Sequence, residues 1–148
     1  MPFYLTESDI KAINMGIPLK SGYSVLNSGA LSEAANAPGR VMFGMEANPT
    51  IAEKAAALVY PIVQSHPFQD ANKRTAFLAL KKFLELNQRR INPAMEEQVK
   101  NLIGRAADEE PIEQEDMAKE LRAYLQTWDY KRVKGSRKRP GGYVIVWK

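Results

Sequence analysis

The residues best suited to chemistry form one short stretch that runs from His66 to Arg74. The stretch contains an imidazole, a carboxylate, a carboxamide and two cations. The residues that follow, 75 to 86, are apolar on nearly every face, which predicts a helix buried inside a bundle. A helix N-terminus offers unpaired N–H groups and a positive dipole end, and Lys73 and Arg74 add positive charge there. We therefore expect an anion-binding loop with a base beside it.

These residue types match the requirements of phosphoryl transfer, which needs cations on the phosphates, an acceptor oxygen in line and a destination for the acceptor's proton. His66 is the candidate catalytic base, because an imidazole is partly neutral near pH 7 and can accept that proton. Asp70 can hold Mg²⁺, since this ion prefers carboxylate, phosphate and water oxygens. Lys73 and Arg74 would bind phosphate, and the N–H groups of residues 71 to 74 would complete the binding site.

Three further residues of the stretch have expected supporting roles. Ala71 would contribute its main-chain N–H group to phosphate binding. Asn72 would either orient a phosphate or hold the loop in shape. Phe68 would anchor the loop in the core, and we assign no chemistry to it.

Simpler interpretations remain open for each charged residue. A single histidine at a helix end is usually a cap or a surface residue, so the case for His66 depends on its neighbours. Asp70 could cap the following helix, with or without a metal. Lys73 and Arg74 could be solvated, but cations at a helix N-terminus oppose the dipole, which favours a bound anion as the explanation.

The stretch resembles the motif His-x-Phe-x-Asp/Glu-Ala/Gly-Asn-Gly/Lys-Arg of the Fic/Doc superfamily, and Lys73 is similar to the Doc (death-on-curing) toxin branch. The similarity covers residues 27 to 92. It implies Mg²⁺ and ATP, or another nucleoside triphosphate, as cofactor and co-substrate. It also implies transfer of the terminal phosphate to a Thr or Ser hydroxyl of a protein, with elongation factor Tu as the family's known target. The implied partner is a small antitoxin whose disordered segment folds into a groove on the bundle.

Two alternative functions are kept. The Fic branch transfers a nucleotide monophosphate (AMPylation), but Lys73 stands where that branch has Gly, and Phe77 stands where it often has a second Arg. Both departures favour the kinase-like reaction, and we find no inhibitory Ser/Thr-x-x-x-Glu-Gly/Asn motif. The second alternative is a non-catalytic binding module that acts through the basic C-terminal tail.

Composition limits the remaining possibilities. A chain of 148 residues with 45% apolar content fits one globular domain, which we place at residues 1–130 with a tail at 131–148. The absence of cysteine and the single histidine exclude disulfides, cysteine-bound metal and a histidine-rich zinc site, so any metal should have oxygen ligands. Short apolar runs and a non-basic N-terminus predict a cytoplasmic protein without membrane contact.

The net charge of +4 is unevenly distributed along the chain. The tail has seven of the 21 basic residues and no acidic one, which leaves 14 basic and 17 acidic residues in residues 1–130. Binding to nucleic acid is therefore expected only through the tail, and a solvated terminus is the simpler interpretation of it.

The remaining patterns predict an all-α bundle of about six helices with a short flap and a basic extension. Capping signals, apolar periodicity and Pro or Gly punctuation place the helices at 6–16, 28–37 with Ser28 as cap, 50–65 with Pro49 in the first turn, 72–87, 92–107 and 113–128. Residues 40–46 are predicted as a short hairpin or a hydrophobic loop. In the family that the chain resembles, this region is a flap that positions the target by strand addition. Residues 143–147 have strand propensity.

Overall fold

The computed structural model of the protein describes residues 1–128, 137–138 and 144–145. Its helices are α1 (Glu7–Gly16), α2 (Ser28–Asn36), α3 (Ile51–Ser65), α4 (Asn72–Leu86), α5 (Glu96–Ala106) and α6 (Gln114–Arg122). Its strands are β1 (Val41–Met42), β2 (Met45–Glu46), β3 (Arg89–Ile91), β4 (Leu125–Thr127), β5 (Arg137–Lys138) and β6 (Val144–Ile145), which form three antiparallel pairs. The predicted helical bundle is confirmed, and no helix of the described residues is long and apolar enough to cross a membrane.

Helices α3 and α4 form the centre of the bundle. Helix α3 packs against α2, α4 and α6, and α4 packs against α1, α3 and α5. Apolar periodicity predicts one stripe along α3, of which Ala55, Leu58, Val59, Ile62 and Val63 are fully buried, while its first residue, Ile51, is partly buried against the core. Because α3 ends at the candidate loop and α4 begins there, the loop is held between the two most enclosed elements.

The starts of α1 and α3 follow the predicted capping pattern. Thr6 accepts a hydrogen bond from the Asp9 N–H, and the Asp9 side chain accepts one from the Thr6 N–H, which completes a capping box. Thr50 likewise accepts from the Glu53 N–H. These caps satisfy N–H groups that a helix leaves unpaired.

Two predicted details of the helix starts are wrong. The N-cap of α2 is Asn27, whose Oδ1 accepts from the Ala30 N–H, and Ser28 is the first helical residue. Asparagine is the better cap here because its amide also reaches the Ser65 carbonyl. Pro49 lies before the N-cap Thr50 and therefore outside the first turn of α3.

The predicted helix 113–128 is also wrong in its second half. Helix α6 ends at Arg122, and β4 pairs antiparallel with β3. Apolar residues at 121, 124 and 125 fit a helical period, but Tyr124, Thr127 and Trp128 favour a strand once a partner strand is available. Helix α5 is preceded by a 3₁₀ turn at Pro93–Met95 rather than beginning at residue 92.

The flap is a two-stranded hairpin of β1 and β2. Phe43 and Gly44 form its turn with φ values of 53° and 76°, which is the conformation that a tight hairpin requires. In the tail, β6 pairs with β5 and covers part of the predicted strand. The other residues of that prediction, and most of the basic tail at 131–148, lie outside the described residues.

Candidate active site

His66 is placed at the point where α3 ends. It is the C-cap of this helix, it is exposed, and it adopts a left-handed conformation with φ 45° and ψ 70°. The helix ends here because the next residue is Pro67, which disfavours helical geometry at the residue before it. A left-handed non-glycine residue is uncommon and is enriched at functional sites. The imidazole is thus presented to solvent from the end of a rigid helix.

The other end of the loop has the same feature. Ala71 is the N-cap of α4, and its φ of 64° is also left-handed. The Ala71 N–H donates to the Asp70 Oδ1 at 2.7 Å, and the Ala71 carbonyl accepts from the Thr75 N–H and hydroxyl. Two unusual backbone conformations therefore delimit the loop, and local hydrogen bonds hold the second of them.

Asn72 and Phe68 keep the loop in shape. The Asn72 Oδ1 accepts from the Phe68 N–H at 3.1 Å, and its Nδ2 donates to the Phe68 carbonyl at 2.9 Å. The Phe68 ring is buried in the core. Asn72 was expected either to orient a phosphate or to hold the loop in shape, and these hydrogen bonds hold the loop in shape.

The Asp70 carboxylate is held by residues from another part of the chain. Its Oδ2 accepts from the Ser21 N–H at 2.8 Å and from the Ser21 hydroxyl at 3.2 Å. The Ser21 N–H, then the Ala71 N–H, hold the pKa of the Asp70 carboxyl below its usual value, because they stabilise the charged form. The side chain is therefore ionised at neutral pH.

Lys73 and Arg74 lie exposed on the first turn of α4, beside N–H groups that have no acceptor within the helix. One Arg74 guanidinium nitrogen donates to the Pro18 carbonyl at 3.0 Å. Among the residues that the structure describes, Lys73 has no hydrogen-bond or ion-pair partner. A free ammonium group thus stands at the positive end of α4.

A cavity of about 510 Å³ lies directly beside these two cations. Its walls are residues 16–18 at the end of α1, the first two turns of α4, and Lys100 and Ile103 on α5. Phe77 lines it, and the ammonium groups of Lys81 and Lys100 lie 5.5 Å and 5.3 Å from the centre of the Phe77 ring. The cavity is apolar with a cationic margin, and the sequence pattern did not indicate it.

The segment from Asn14 to Asn27 is the part of the site that sequence reasoning missed. It lies along the loop: the Gln69 N–H donates to the Ser24 carbonyl, the Leu26 N–H donates to the Pro67 carbonyl, and Val25 forms a β-bridge with Phe68. An available signal was a polar Asn14 on the apolar face that Ile10 and Ile13 give to α1. No local pattern pointed to Ser21.

The residues present fit a Mg²⁺ ion bound together with phosphate. In the described part of the chain there is no group of three or more metal-ligating side chains. Asp70 provides one ionised and partly exposed carboxylate, and its Oδ1 keeps acceptor capacity beyond the one hydrogen bond from the Ala71 N–H. Mg²⁺ commonly binds through one or two carboxylates, with water and phosphate oxygens completing the shell.

The fold and the loop together define a class: a helical bundle in which a histidine ends one central helix and a turn with two exposed cations begins the next. A family model described as "Fic/DOC family" matches residues 4–84, which is more than half of the chain. The chain therefore belongs to the Fic/DOC family. It is similar to "Toxin Doc" of Mycolicibacterium smegmatis (strain ATCC 700084 / mc(2)155), with 33% identity over 87 residues. The matched segment spans 59% of this chain and 66% of that relative, just under two thirds of its length. No solved structure is significantly similar.

Proposed function

We propose that the chain is a Doc-like toxin that transfers the terminal phosphate of ATP, or of another nucleoside triphosphate, to a Thr or Ser hydroxyl of a protein. The observation that carries this proposal is the composition of one loop. His66 stands at its start, Asp70 directly precedes the N-cap of α4, and Lys73 and Arg74 lie on the first turn of α4. A base, an ionised carboxylate and an anion-binding helix start are the parts that phosphoryl transfer needs.

Each side chain then has a defined role. His66 accepts the proton of the attacking hydroxyl. Lys73, Arg74 and the N–H groups of the α4 first turn bind the transferred phosphate and stabilise the charge that its oxygens develop. Asp70 would hold Mg²⁺, which neutralises phosphate charge when it is bound. Asn72 and Phe68 keep the loop in the geometry that these contacts need.

The residues at positions 73 and 77 support phosphate transfer over nucleotide transfer. The Lys73 ammonium occupies space beside the N–H groups of α4, where a Gly would leave room for one more phosphate group. At position 77, the Fic branch often has a second phosphate-binding Arg, and here a Phe ring has two lysine ammonium groups near it. We infer that the terminal phosphate faces the acceptor hydroxyl.

The flap would bind the protein target. The side chains of Val41, Met42, Phe43 and Met45 are exposed, with Phe43 at 98%. A short strand edge with exposed apolar side chains is suited to pairing with an extended segment of a partner. A translation factor, with elongation factor Tu as the first candidate, would be that target, and a small antitoxin would restrain the chain.

The test is a comparison of two labels. The protein is incubated with Mg²⁺ and bacterial lysate, once with triphosphate labelled at the γ position and once at the α position. We expect the γ label alone to enter a lysate protein, and Asp70→Asn to abolish its incorporation.

Entry of the α label would instead assign nucleotide transfer to the same site. Entry of neither label, with no binding of Mg²⁺ or nucleotide, would refute an enzymatic function. The binding module acting through the basic tail would then be the function to pursue.

A further inference from the structure

Ser21 places a hydroxyl of the chain itself at the carboxylate of the candidate site. The residue is exposed, and its Oγ lies 3.2 Å from Asp70 Oδ2 while its N–H lies 2.8 Å from the same oxygen. The two residues are 49 positions apart in the chain. Their contact is therefore a product of the fold.

The segment that carries Ser21 lies against the loop as an extended substrate segment would. Main-chain bonds from Gln69 to Ser24 and from Leu26 to Pro67 align the two segments. At Gly22 an added Cβ would lie 3.1 Å from the end of the exposed Gln69 side chain, which would have to shift slightly. Ser21 is thus held beside the carboxylate that the proposed function assigns to Mg²⁺ and phosphate binding.

We propose that Ser21 is a self-phosphorylation site, an inference that rests on the proposed function. The Ser21 Oγ forms a bond to the γ-phosphorus of the nucleoside triphosphate, and the bond between that phosphorus and the β,γ-bridging oxygen breaks. The nucleoside diphosphate leaves with the electron pair of the broken bond. The hydroxyl proton is released to solvent water, to which the exposed Ser21 has access.

The neighbouring hydroxyl groups are less suitable acceptors. The Thr75 hydroxyl is fully buried, and it is held between the Ala71 carbonyl and the Asn14 amide. Ser24 contacts the loop through its main-chain carbonyl and not through its hydroxyl. Among these three, only Ser21 combines exposure with a hydroxyl contact to Asp70.

The modification would restrain the chain's own activity. A phosphoserine has a charge of about −1.5 to −2 at neutral pH. At position 21 that charge would face the Asp70 carboxylate. It would also lie near the Arg74 guanidinium, because Arg74 donates a hydrogen bond to the carbonyl of Pro18, three residues before Ser21. The phosphate would therefore compete with nucleotide for Arg74 and would remove the hydrogen bond that the hydroxyl gives to Asp70.

The experiment uses the full chain after phosphatase treatment, incubated with Mg²⁺ and ATP labelled at the γ position and analysed by intact mass and fragmentation. We expect one phosphate per chain, located at Ser21. Incorporation should fall at least about tenfold in Ser21→Ala and in Asp70→Asn, and should be unchanged in the matched control Ser24→Ala. A tagged Asp70→Asn chain mixed with the unmodified protein should stay unlabelled, because the contact is within one chain.

Nucleotide binding by Ser21→Glu provides a second readout, and we expect it to be about tenfold weaker than in Ser21→Gln. Labelling of a lysate protein without labelling of the chain would overturn the inference and leave the proposed function intact. Phosphate on another residue, or undiminished incorporation in Ser21→Ala, would also overturn it. Absence of label from both the chain and the lysate would refute the proposed function and the inference together.

Discussion

The side-chain amide of Asn14 donates a hydrogen bond to the main-chain carbonyl of Asp70 at a distance of 2.9 Å. The same Nδ2 donates to the Thr75 hydroxyl at 2.9 Å, and that hydroxyl donates to the Ala71 carbonyl at 2.7 Å. Asn14 is fully buried. A residue of α1 thus holds the turn that joins the candidate loop to α4.

Asn14→Leu should therefore destabilise the protein and impair the site. Leucine has a similar volume but no donor, so the Asp70 carbonyl and the Thr75 hydroxyl each lose the hydrogen bond that Asn14 donates. We expect the free energy of unfolding in urea to fall by about 1–3 kcal/mol. Asn36→Ala changes an exposed asparagine that bonds within its own helix, and it should stay within about 0.5 kcal/mol of the unmodified protein. Equal stability of the two variants would contradict the role of Asn14.

His66→Asn should abolish transfer without unfolding the protein. Asparagine tolerates the left-handed conformation of this position better than alanine does, so the loss of chemistry is not confused with backbone strain. Loss of a general base lowers the rate by roughly 10² to 10⁴, which label incorporation would detect. Circular dichroism should show unchanged helicity, and Ser65→Ala, at the exposed neighbour, should keep its rate. A full rate in His66→Asn would refute the assignment of the base.

Lys73→Gly should abolish γ-phosphate transfer and allow weak nucleotide transfer. The reason is that the free ammonium beside the first turn of α4 would be replaced by space for another phosphate group. Lys119→Gly is the matched control, because it places the same substitution on an exposed helical residue of α6. Both variants should lose about 1 kcal/mol of stability from helix propensity. If the rate of γ-phosphate transfer fell equally in both variants, the loss would come from reduced stability and not from the missing Lys73 ammonium.

Lys54→Met should loosen the flap. Lys54 is buried on α3, and its ammonium donates to the Glu46 carboxylate at 2.9 Å and to the Pro38 carbonyl at 3.3 Å. Methionine fills the same space without these bonds, so hydrogen exchange of the amides in residues 41–46 should accelerate. Overall stability should change little, because the Glu46 carboxylate that loses its partner is partly exposed and can be solvated by water.

The control for the flap is Arg105→Met, which removes the partly exposed ion pair between α5 and α6. Flap exchange should be unchanged in this variant, since surface ion pairs contribute about 0–1 kcal/mol and this one lies on other helices. Similar exchange rates in residues 41–46 of both variants would show that Lys54 does not hold the flap.

Glu85→Gln should stabilise the protein at high pH only. Burial raises the pKa of Glu85 to about 7, against a smaller opposing effect of Lys81, and its Oε2 has no hydrogen-bond partner among the described residues. A carboxyl group with a raised pKa stabilises the fold while protonated, and this contribution is lost as pH rises from about 4.5 through 7.

At pH 8 the free energy of unfolding of the variant should therefore be higher than that of the unmodified protein by on the order of 1–2 kcal/mol. This figure is reduced for solvent screening, because the group is partly exposed. The two proteins should be equally stable near pH 4. Urea unfolding across this range measures the difference, and a constant difference would show that Glu85 does not titrate as described.

Local signals explain what the sequence predicted correctly. Thr6 and Thr50 mark helix starts because a cap and its target N–H group lie within three residues of each other. The stretch from His66 to Arg74 could be recognised because its residue types are contiguous. Neither feature requires knowledge of what packs against it.

The segment after α6 shows where local information failed. Residues 124 and 125 satisfy a helical period as well as a strand, and the choice depended on β3, which pairs Ile91 with Leu125. A strand becomes stable only when a second strand satisfies its main-chain groups. That partner is remote in sequence, so no pattern within the segment could identify it.

The sequence alone determined the helical class, the candidate loop and the residue types that it contains. Only the tertiary structure decided which groups hold that loop: Asn14 on the Asp70 carbonyl, Ser21 on the Asp70 carboxylate and the Pro18 carbonyl on Arg74. Single hydrogen bonds of this kind leave no periodic or capping signal. They depend on α1 and the segment after it packing against the start of α4, an arrangement that the burial of apolar side chains throughout the bundle determines.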